Sequence, residues 1–469
     1  MGAMSRINHT PAWPRLAILF CLLWLAAMPQ RLAAQERSPA GALPAVAGDT
    51  FLSPMEIYRR LAPSAVYIVT ESSTGSGLLL PGGYVATNAH VLWPYTAARV
   101  VTNDGQAFDQ TPVAASDFLL DLAILGPIDT ALPPAPLADG ESLPIGADVY
   151  LLGFPAEGEH IPQPAIARGL ISRFRAWDPL GITYFQTDAA VAGGQSGGML
   201  VAADGNVIGI SGMSLGDSFA VAASAADVAA VIARLVDGDA APGPAMRPFP
   251  PRGRSRTQAF SPAHFWDQRM YVILPPIAQG DIDVSAESEG DALLFVTNIY
   301  NEYPLYLDDT PDGKEQGTFP VESSAPYFLV AAPAYETPDK IAVTSSQRIT
   351  AFDDPDDEQR IDASTSALAG VIDYPGDIDV FEIALRGGQT VTVTMTSMLV
   401  DAYLRLDGTP LSANATAWDD DDGGGPFGTD AVIVHTPRRD GAYLIIAEDA
   451  AGADVGGYLL TIERDADDR

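Results

Sequence analysis

From residue 55 to about 238 the sequence is written in short apolar runs, each broken within a few residues by Gly, Pro, Asn or Asp. The runs are 65–70, 77–80, 84–87, 99–102, 122–125, 149–152, 182–186, 199–202 and 207–211. Pieces this short, at this spacing, read as strands joined by turns, so the region is predicted to be an all-β barrel or sandwich. The 43 glycines and 38 prolines of the 469-residue chain favour the same reading. One helix closes the region. Ser224 and Asp227 are placed as a capping box ahead of the apolar stretch 228–235, and Gly238 follows as its stop.

The remaining text sets the domain plan. Residues 1–34 read as a secretory signal. Arg6 and Arg15 precede an apolar run over 16–28, and Leu32-Ala33-Ala34 supplies small residues for cleavage. That run is too short for a membrane span, which needs roughly 20 apolar residues. Residues 50–238 form the first globular domain and 239–262 a Pro-, Gly- and Arg-rich linker. Two β-rich modules follow, 263–346 and 364–465, separated by an acidic linker at 347–363. The two modules read as repeats. Shifting the chain by 110 residues lays Tyr271-Val272-Ile273 on Phe381-Glu382-Ile383, and Asp291-Ala292-Leu293-Leu294 on Asp401-Ala402-Tyr403-Leu404. After a six-residue slip, Tyr327-Phe328-Leu329-Val330 meets Tyr443-Leu444-Ile445-Ile446.

Charge and cysteine use exclude some chemistries. A formal charge of −34 opposes binding to nucleic-acid backbones and to anionic membrane surfaces. The one cysteine, Cys21, lies in the signal, so neither a thiol nucleophile nor a cysteine-type zinc site is expected in the mature chain.

Three motifs occur in one order within the first domain. They are Thr87-Asn88-Ala89-His90-Val91, Asp121-Leu122-Ala123-Ile124-Leu125 and Gly193-Gly194-Gln195-Ser196-Gly197-Gly198. A serine hydroxyl holds its proton tightly and needs a base to attack a carbonyl. Imidazole suits that task at neutral pH. A buried carboxylate then sets the imidazole tautomer and stabilises the imidazolium that forms. His90, Asp121 and Ser196 supply the three parts. Attack creates an oxyanion, for which the Gly194 and Ser196 N–H groups are the expected donors. Each motif alone is weak, and together in order they are specific. An α/β-hydrolase is excluded, since those chains run Ser, acid, His.

On these motifs, residues 55–237 resemble trypsin-like peptidases of the HtrA type. Further matching text is Thr74-Gly75-Ser76-Gly77, Phe185-Gln186-Thr187-Asp188-Ala189-Ala190 and Val207-Ile208-Gly209-Ile210. The resemblance implies a chymotrypsin-like double β-barrel with its site between the barrels, and endopeptidase activity on protein or peptide substrates with no cofactor required. It also implies a primary pocket lined by Ala190, Ala192, Ser211, Gly212 and Met213. No acidic residue falls at the pocket base, so small or medium apolar side chains are expected there. Gln195 stands where the family has Asn or Asp and carries no charge, so activation by an ion pair to a new N-terminus is not expected. Met199 replaces the usual proline. No PDZ-like segment follows. The competing reading is a peptidase-like scaffold with a poorly formed oxyanion hole.

Residues 364–465 resemble the bacterial pre-peptidase C-terminal domain, a jelly-roll-like β-sandwich. The carrying features are Gly376-Asp377-Ile378-Asp379-Val380-Phe381, Asp401-Ala402-Tyr403-Leu404, the acidic run 419–422 and Gly441-Ala442-Tyr443. Residues 263–346 look like a diverged copy. Asp377, Asp379, Asp419, Asp420 and Asp422 are a candidate calcium set, oxygen donors suited to a hard cation. The chain is thus expected to be exported, to the periplasm or beyond, with no membrane span once the signal is removed.

Overall fold

The computed structural model describes residues 51–465 apart from 157–161, 216–218, 240–242, 265, 279, 301, 303, 309–312, 322–324, 335–336, 353, 355–358, 363, 409–416 and 420–422. The signal reading, and Asp420 and Asp422, lie outside the described residues. The predicted runs become strands. β1 (Ala65–Val69), β2 (Thr74–Leu79), β3 (Val85–Thr87), β4 (Ala97–Thr102), β5 (Ala107–Asp117) and β6 (Leu122–Leu125) close a barrel in the order β1-β2-β3-β6-β5-β4. A second barrel uses β7 (Asp148–Gly153), β8 (Ala165–Trp177), β9 (Ile182–Thr187), β10 (Met199–Ala202), β11 (Val207–Leu215) and β12 (Phe219–Ser224), in the order β10-β11-β12-β9-β8-β7. Counted from its own first strand, the second barrel repeats the order of the first.

Strand runs apolar at every position follow from this closure. Successive side chains leave opposite faces of a strand. Leu79, Leu125 and Leu200 point into the barrels, while their neighbours Leu78, Ile124 and Met199 fill the layer between barrels, together with Leu152, Phe154 and Ile210. Both faces are buried, so the chain shows continuous apolar runs instead of alternation. Met199, in the position of the family's proline, is fully buried in this layer.

Among the described residues three α-helices flank the barrels. α1 (Pro54–Leu61) is opened by Ser53 in a reciprocal capping box with Glu56. α2 (Ala89–Leu92) is a single turn carrying His90. α3 (Ala225–Asp237) is the predicted closing helix. Ser224 Oγ accepts from the Asp227 N–H at 3.4 Å, and Gly238 ends the helix at φ 78°. The other half of the predicted box does not close, because the Asp227 carboxylate accepts the Thr183 N–H at 2.7 Å instead.

The linker reading of 239–262 needs correction. Gly243 N–H donates to Asp117 Oδ2 (2.9 Å), Pro244 O accepts from Phe118 N–H (2.8 Å) and Met246 N–H donates to Ser116 Oγ (2.9 Å). Phe249 lies with ring centroids 5.6 Å from Phe328 and 6.2 Å from Trp93. A few spaced anchors hold the segment, which is why it shows no period in the sequence. The first module likewise begins before 263 and ends after 346. Its strands are β13 (Thr257–Phe260), β14 (Arg269–Ile273), β15 (Asp281–Ser288), β16 (Ala292–Asn298), β17 (Leu305–Leu307), β18 (Lys314–Pro320), β19 (Tyr327–Pro333), β20 (Ile341–Ser345) and β21 (Thr350–Ala351). The second uses β22 (Gln359–Ile361), β23 (Ala367–Ile372), β24 (Ile378–Leu385), β25 (Val391–Ser397), β26 (Ala402–Gly408), β27 (Ala417–Asp419), β28 (Ala431–His435), β29 (Gly441–Asp449) and β30 (Gly456–Arg464). β21 and β22 place part of the expected acidic linker in sheets.

The sheets are β13-β20-β15-β18 facing β17-β16-β19-β14-β21, and β23-β30-β25-β28 facing β22-β24-β29-β26-β27. Eight strands of each module share one order, that of a jelly roll. The registers agree with the repeat. Leu294 pairs with Ala331 and Leu404 with Ala447, offsets of 110 and 116 residues. Tyr271 with Leu329, and Phe381 with Ile445, keep the same two offsets.

Arg247 ties the 243–249 segment to the second sandwich. Its guanidinium lies 2.6 Å from Asp354 and also bonds Asp373, whose side chain is fully buried. Removing one partner leaves a buried carboxylate uncompensated, and such losses run to about 3–5 kcal/mol. Arg247→Met is expected to lower stability by about that much, read as a fall in the urea midpoint at constant m-value.

Candidate active site

Asp121 ends the loop that leads from β5 into β6. It is fully buried and holds φ 51°, a left-handed conformation uncommon outside glycine. The 88–90 turn explains the geometry by wrapping around it. Asn88 Nδ2 and the Ala89 N–H donate to the Asp121 carbonyl at 3.0 and 3.2 Å. The His90 N–H donates to Asp121 Oδ1 at 2.9 Å, and His90 Nδ1 lies 2.7 Å from Oδ2. Both carboxylate oxygens are therefore committed to one residue. Burial works to lower the proton affinity of His90, but the Asp121 charge and hydrogen bond outweigh it, and the pKa lies above the ordinary 6.5.

Ser196 sits across the cleft, on the turn entering β10. Its hydroxyl donates to the Gly212 carbonyl at 3.4 Å, a long bond, and not to His90. Gly212 in turn lies against Asp121: a Cβ on it would be 3.9 Å from Oδ2. Gly212 thus lies against both the Ser196 hydroxyl and the carboxylate that holds His90.

The expected oxyanion donor at Gly194 is oriented by the Gly193–Gly194 peptide. The Ala156 N–H donates to the Gly193 carbonyl at 2.6 Å. In a trans peptide the following N–H points the opposite way, so the Gly194 N–H is turned away from that bond. Gly194 has φ 89°, and a Cβ there would lie 2.6 Å from Ala156 N. Gln195 is buried, and its Oε1 accepts the Ala192 N–H at 2.7 Å, pinning the turn from inside. The residue that departs from the family pattern therefore performs a backbone-holding job without charge.

Sequence reasoning named no role for Ser76. It is fully buried. Its Oγ donates to the Gly194 carbonyl at 2.8 Å and accepts the Phe154 N–H at 2.7 Å. Its N–H donates to the Ser196 carbonyl at 2.8 Å, and its carbonyl accepts Thr87 Oγ1–H at 2.7 Å. One serine of the first barrel thus grips the nucleophile turn of the second. The only sequence signal for it was the matching Thr74-Gly75-Ser76-Gly77 text.

Of the pocket residues, Ser211, Gly212 and Met213 lie in a row on β11, with Ser211 bonded through its backbone to Gly197 and Gly198. Ala190 and Ala192 are exposed on the strand-to-turn approach to Ser196. The five carry no charge.

The candidate calcium set is not brought together. Asp379 pairs with Ala447, Ala447 with Leu404 and Leu404 with Asp419, so three strand spacings, roughly 14 Å, separate the two aspartates. One ion cannot bridge that distance. Asp419 Oδ2 instead accepts the Val432 N–H at 2.6 Å. Asp377 joins Asp354 and Asp373, which offer oxygens within 4.8 Å of one another, and Arg247 bonds two of the three.

Two six-stranded barrels of one topology, with an acid–imidazole pair and a serine across their junction, define a trypsin-like serine peptidase domain. Residues 75–210 match the family model described as trypsin-like peptidase domain. A probable periplasmic serine endoprotease DegP-like of Halomonas elongata is 36% identical over 159 residues, 32% of this chain and 32% of that protein. The mitochondrial serine protease HTRA2 of Drosophila persimilis is 37% identical over 161 residues, 32% of this chain and 36% of that one. The crystal structure of the serine endoprotease from Yersinia pestis covers 40% of this chain and 68% of its own, at 29% identity and TM-score 0.35. The chain spans about a third of the length of the curated relatives it matches.

Proposed function

We propose that the chain is a serine endopeptidase that cleaves protein substrates through an acyl-enzyme. The observation that carries this is the His90–Asp121 pair, with both carboxylate oxygens bound to His90 and Ser196 facing it across the cleft. For attack, the Ser196 hydroxyl leaves the Gly212 carbonyl and donates to His90 Nε2. His90 takes the proton as Oγ attacks the scissile carbonyl carbon. The Gly194 and Ser196 N–H groups receive the oxyanion. Collapse breaks the C–N bond, and His90 returns the proton to the leaving amine. Water, deprotonated by His90, then hydrolyses the ester.

The uncharged lining of Ala190, Ala192, Ser211, Gly212 and Met213 supports a preference for small or medium apolar side chains at the cleaved residue. A cleavage profile dominated by Arg or Lys overturns that preference. We further read 364–465 as a module of the pre-peptidase C-terminal type and the chain as exported. The relative from Halomonas elongata is named as periplasmic. Among the described residues no helix is long and apolar enough to cross a membrane.

The test is labelling by a fluorophosphonate probe together with casein hydrolysis. Wild type is expected to label at Ser196 and cleave. Ser196→Ala is expected to lose both, and His90→Ala to lose nearly all labelling. A folded wild type that does not label sinks the enzyme reading.

A further inference from the structure

The second sandwich does more than follow the barrels in sequence. It packs directly on the loop that carries Asp121. The Gly457 N–H, at the start of β30, donates to the Phe118 carbonyl at 3.3 Å, and a Cβ on Gly457 would meet Leu119 N at 2.5 Å. Val371 shares a buried cluster with Phe118, and Leu399 and Val455 pack against that cluster. On the second barrel, Phe427 stacks edge-on to Tyr184 with centroids 5.2 Å apart, and the Pro426 carbonyl accepts from Arg175. The sandwich therefore contacts both barrels around the acid of the triad.

One side chain goes further in. Met398, on the turn between β25 and β26, is 5% exposed and belongs to the cluster that fills the layer between barrels. Three groups converge on the point where Gly212 lacks a side chain. A Cβ there would lie 3.5 Å from Asn88 Nδ2, 3.8 Å from Met398 Cε and 3.9 Å from Asp121 Oδ2. The space beside the catalytic carboxylate is left open by a glycine of the barrel and filled by a methyl group of the distant sandwich.

We propose that Met398 is a positioning residue for the triad, its thioether closing the approach over Gly212 and keeping water from the Asp121 carboxylate. The second sandwich is then a structural part of the active site and not only an appended module. A water admitted at that point donates to Asp121 Oδ2 and competes with His90 Nδ1 for the same oxygen. It also screens the carboxylate charge that the imidazolium feels. Other charged or titratable groups facing this region are Asp117 at the end of β5, bonded to Leu120 and Gly243 N–H groups, Asp227 on α3, and the Tyr184 hydroxyl. None of them touches His90, so Asp121 alone sets the imidazole. A Cβ at 212 would sit in ordinary contact with all three groups, so a methyl fits beside Met398 and only a larger side chain competes with it for the space.

The inference rests on the endopeptidase reading, and its test keeps the two apart. In the full chain, Met398→Ala is expected to lower kcat about tenfold or more with KM nearly unchanged. The acidic limb of the kcat/KM profile should move to lower pH. Met398→Leu, which refills the space with an apolar group, should restore most of the loss. Met398→Gln, of similar volume but polar, should behave like the alanine variant, and it carries the test where the alanine variant does not fold. Titration of His90 by NMR in the inactive Ser196→Ala background reads the same effect without turnover. There the imidazole pKa is expected to fall by about half a pH unit or more on replacing Met398 by Gln. A change confined to KM or to cleavage-site preference overturns the proposal and makes Met398 a substrate-pocket wall. A fall in kcat with an unmoved His90 titration also overturns it. Failure of wild type to label with the probe, with the His90 shift present, sinks the endopeptidase reading and leaves the positioning role standing.

Discussion

Asp121→Asn is expected to lower kcat by about ten-thousandfold while leaving the fold and KM nearly intact. The structure shows why an isosteric change of one atom does so much. Asp121 Oδ1 accepts the His90 N–H, a group that can only donate. In the variant the amide must keep its oxygen on that N–H, so its NH₂ turns toward His90 Nδ1. Nδ1 then accepts, the ring proton moves to Nε2, and the nitrogen that should take the serine proton is blocked. The pH profile gives a second readout. In wild type the Asp121 charge holds the His90 pKa above 6.5. The base works when neutral, so kcat/KM is expected to rise with pH along a limb lying above 6.5. In the variant nothing offsets burial, and the residual activity should titrate at lower pH. A variant within tenfold of wild type refutes the proposed role of Asp121.

Gly197→Ala is expected to cost about 3 kcal/mol or more in stability and to reduce kcat/KM at least about a hundredfold in whatever folds. Gly197 has φ 82°. A Cβ on it would lie 2.1 Å from the Ser76 carbonyl oxygen and 2.4 Å from Thr87 Oγ1. Neither neighbour is free to yield. That carbonyl accepts the Thr87 hydroxyl, and the Ser76 N–H and Oγ hold the Ser196 and Gly194 carbonyls. The clash therefore pushes on the turn that carries both proposed oxyanion donors. Thermal melting and probe labelling measured together check both halves. A variant with wild-type melting and labelling contradicts the tight junction described above.

Much of the first domain was legible because its runs are short, apolar and regularly broken. His90, Asp121 and Ser196 stood out because nucleophilic chemistry demands those residue types in recognisable local text. Ser76 and Gln195 did not, because a buried hydroxyl or amide that holds backbone groups has no signature of its own. The linker over 239–262 was misread for a similar reason: Met246 and Phe249 anchor it singly, with no period. Asp379 and Asp419 of the calcium set do not meet, because they lie on strands separated by most of the width of the sheet.

The sequence by itself determined the strand pattern, the order of the catalytic motifs and the duplication of the β-modules, since each depends on spacing along one stretch of chain. Tertiary structure alone decided that Ser76 clasps the nucleophile turn, that Arg247 answers Asp354 and Asp373, and that Met398 reaches the point beside Asp121. Those contacts join residues roughly a hundred to nearly three hundred positions apart. Packing and burial select such partners in space, and nothing local in the chain records the choice.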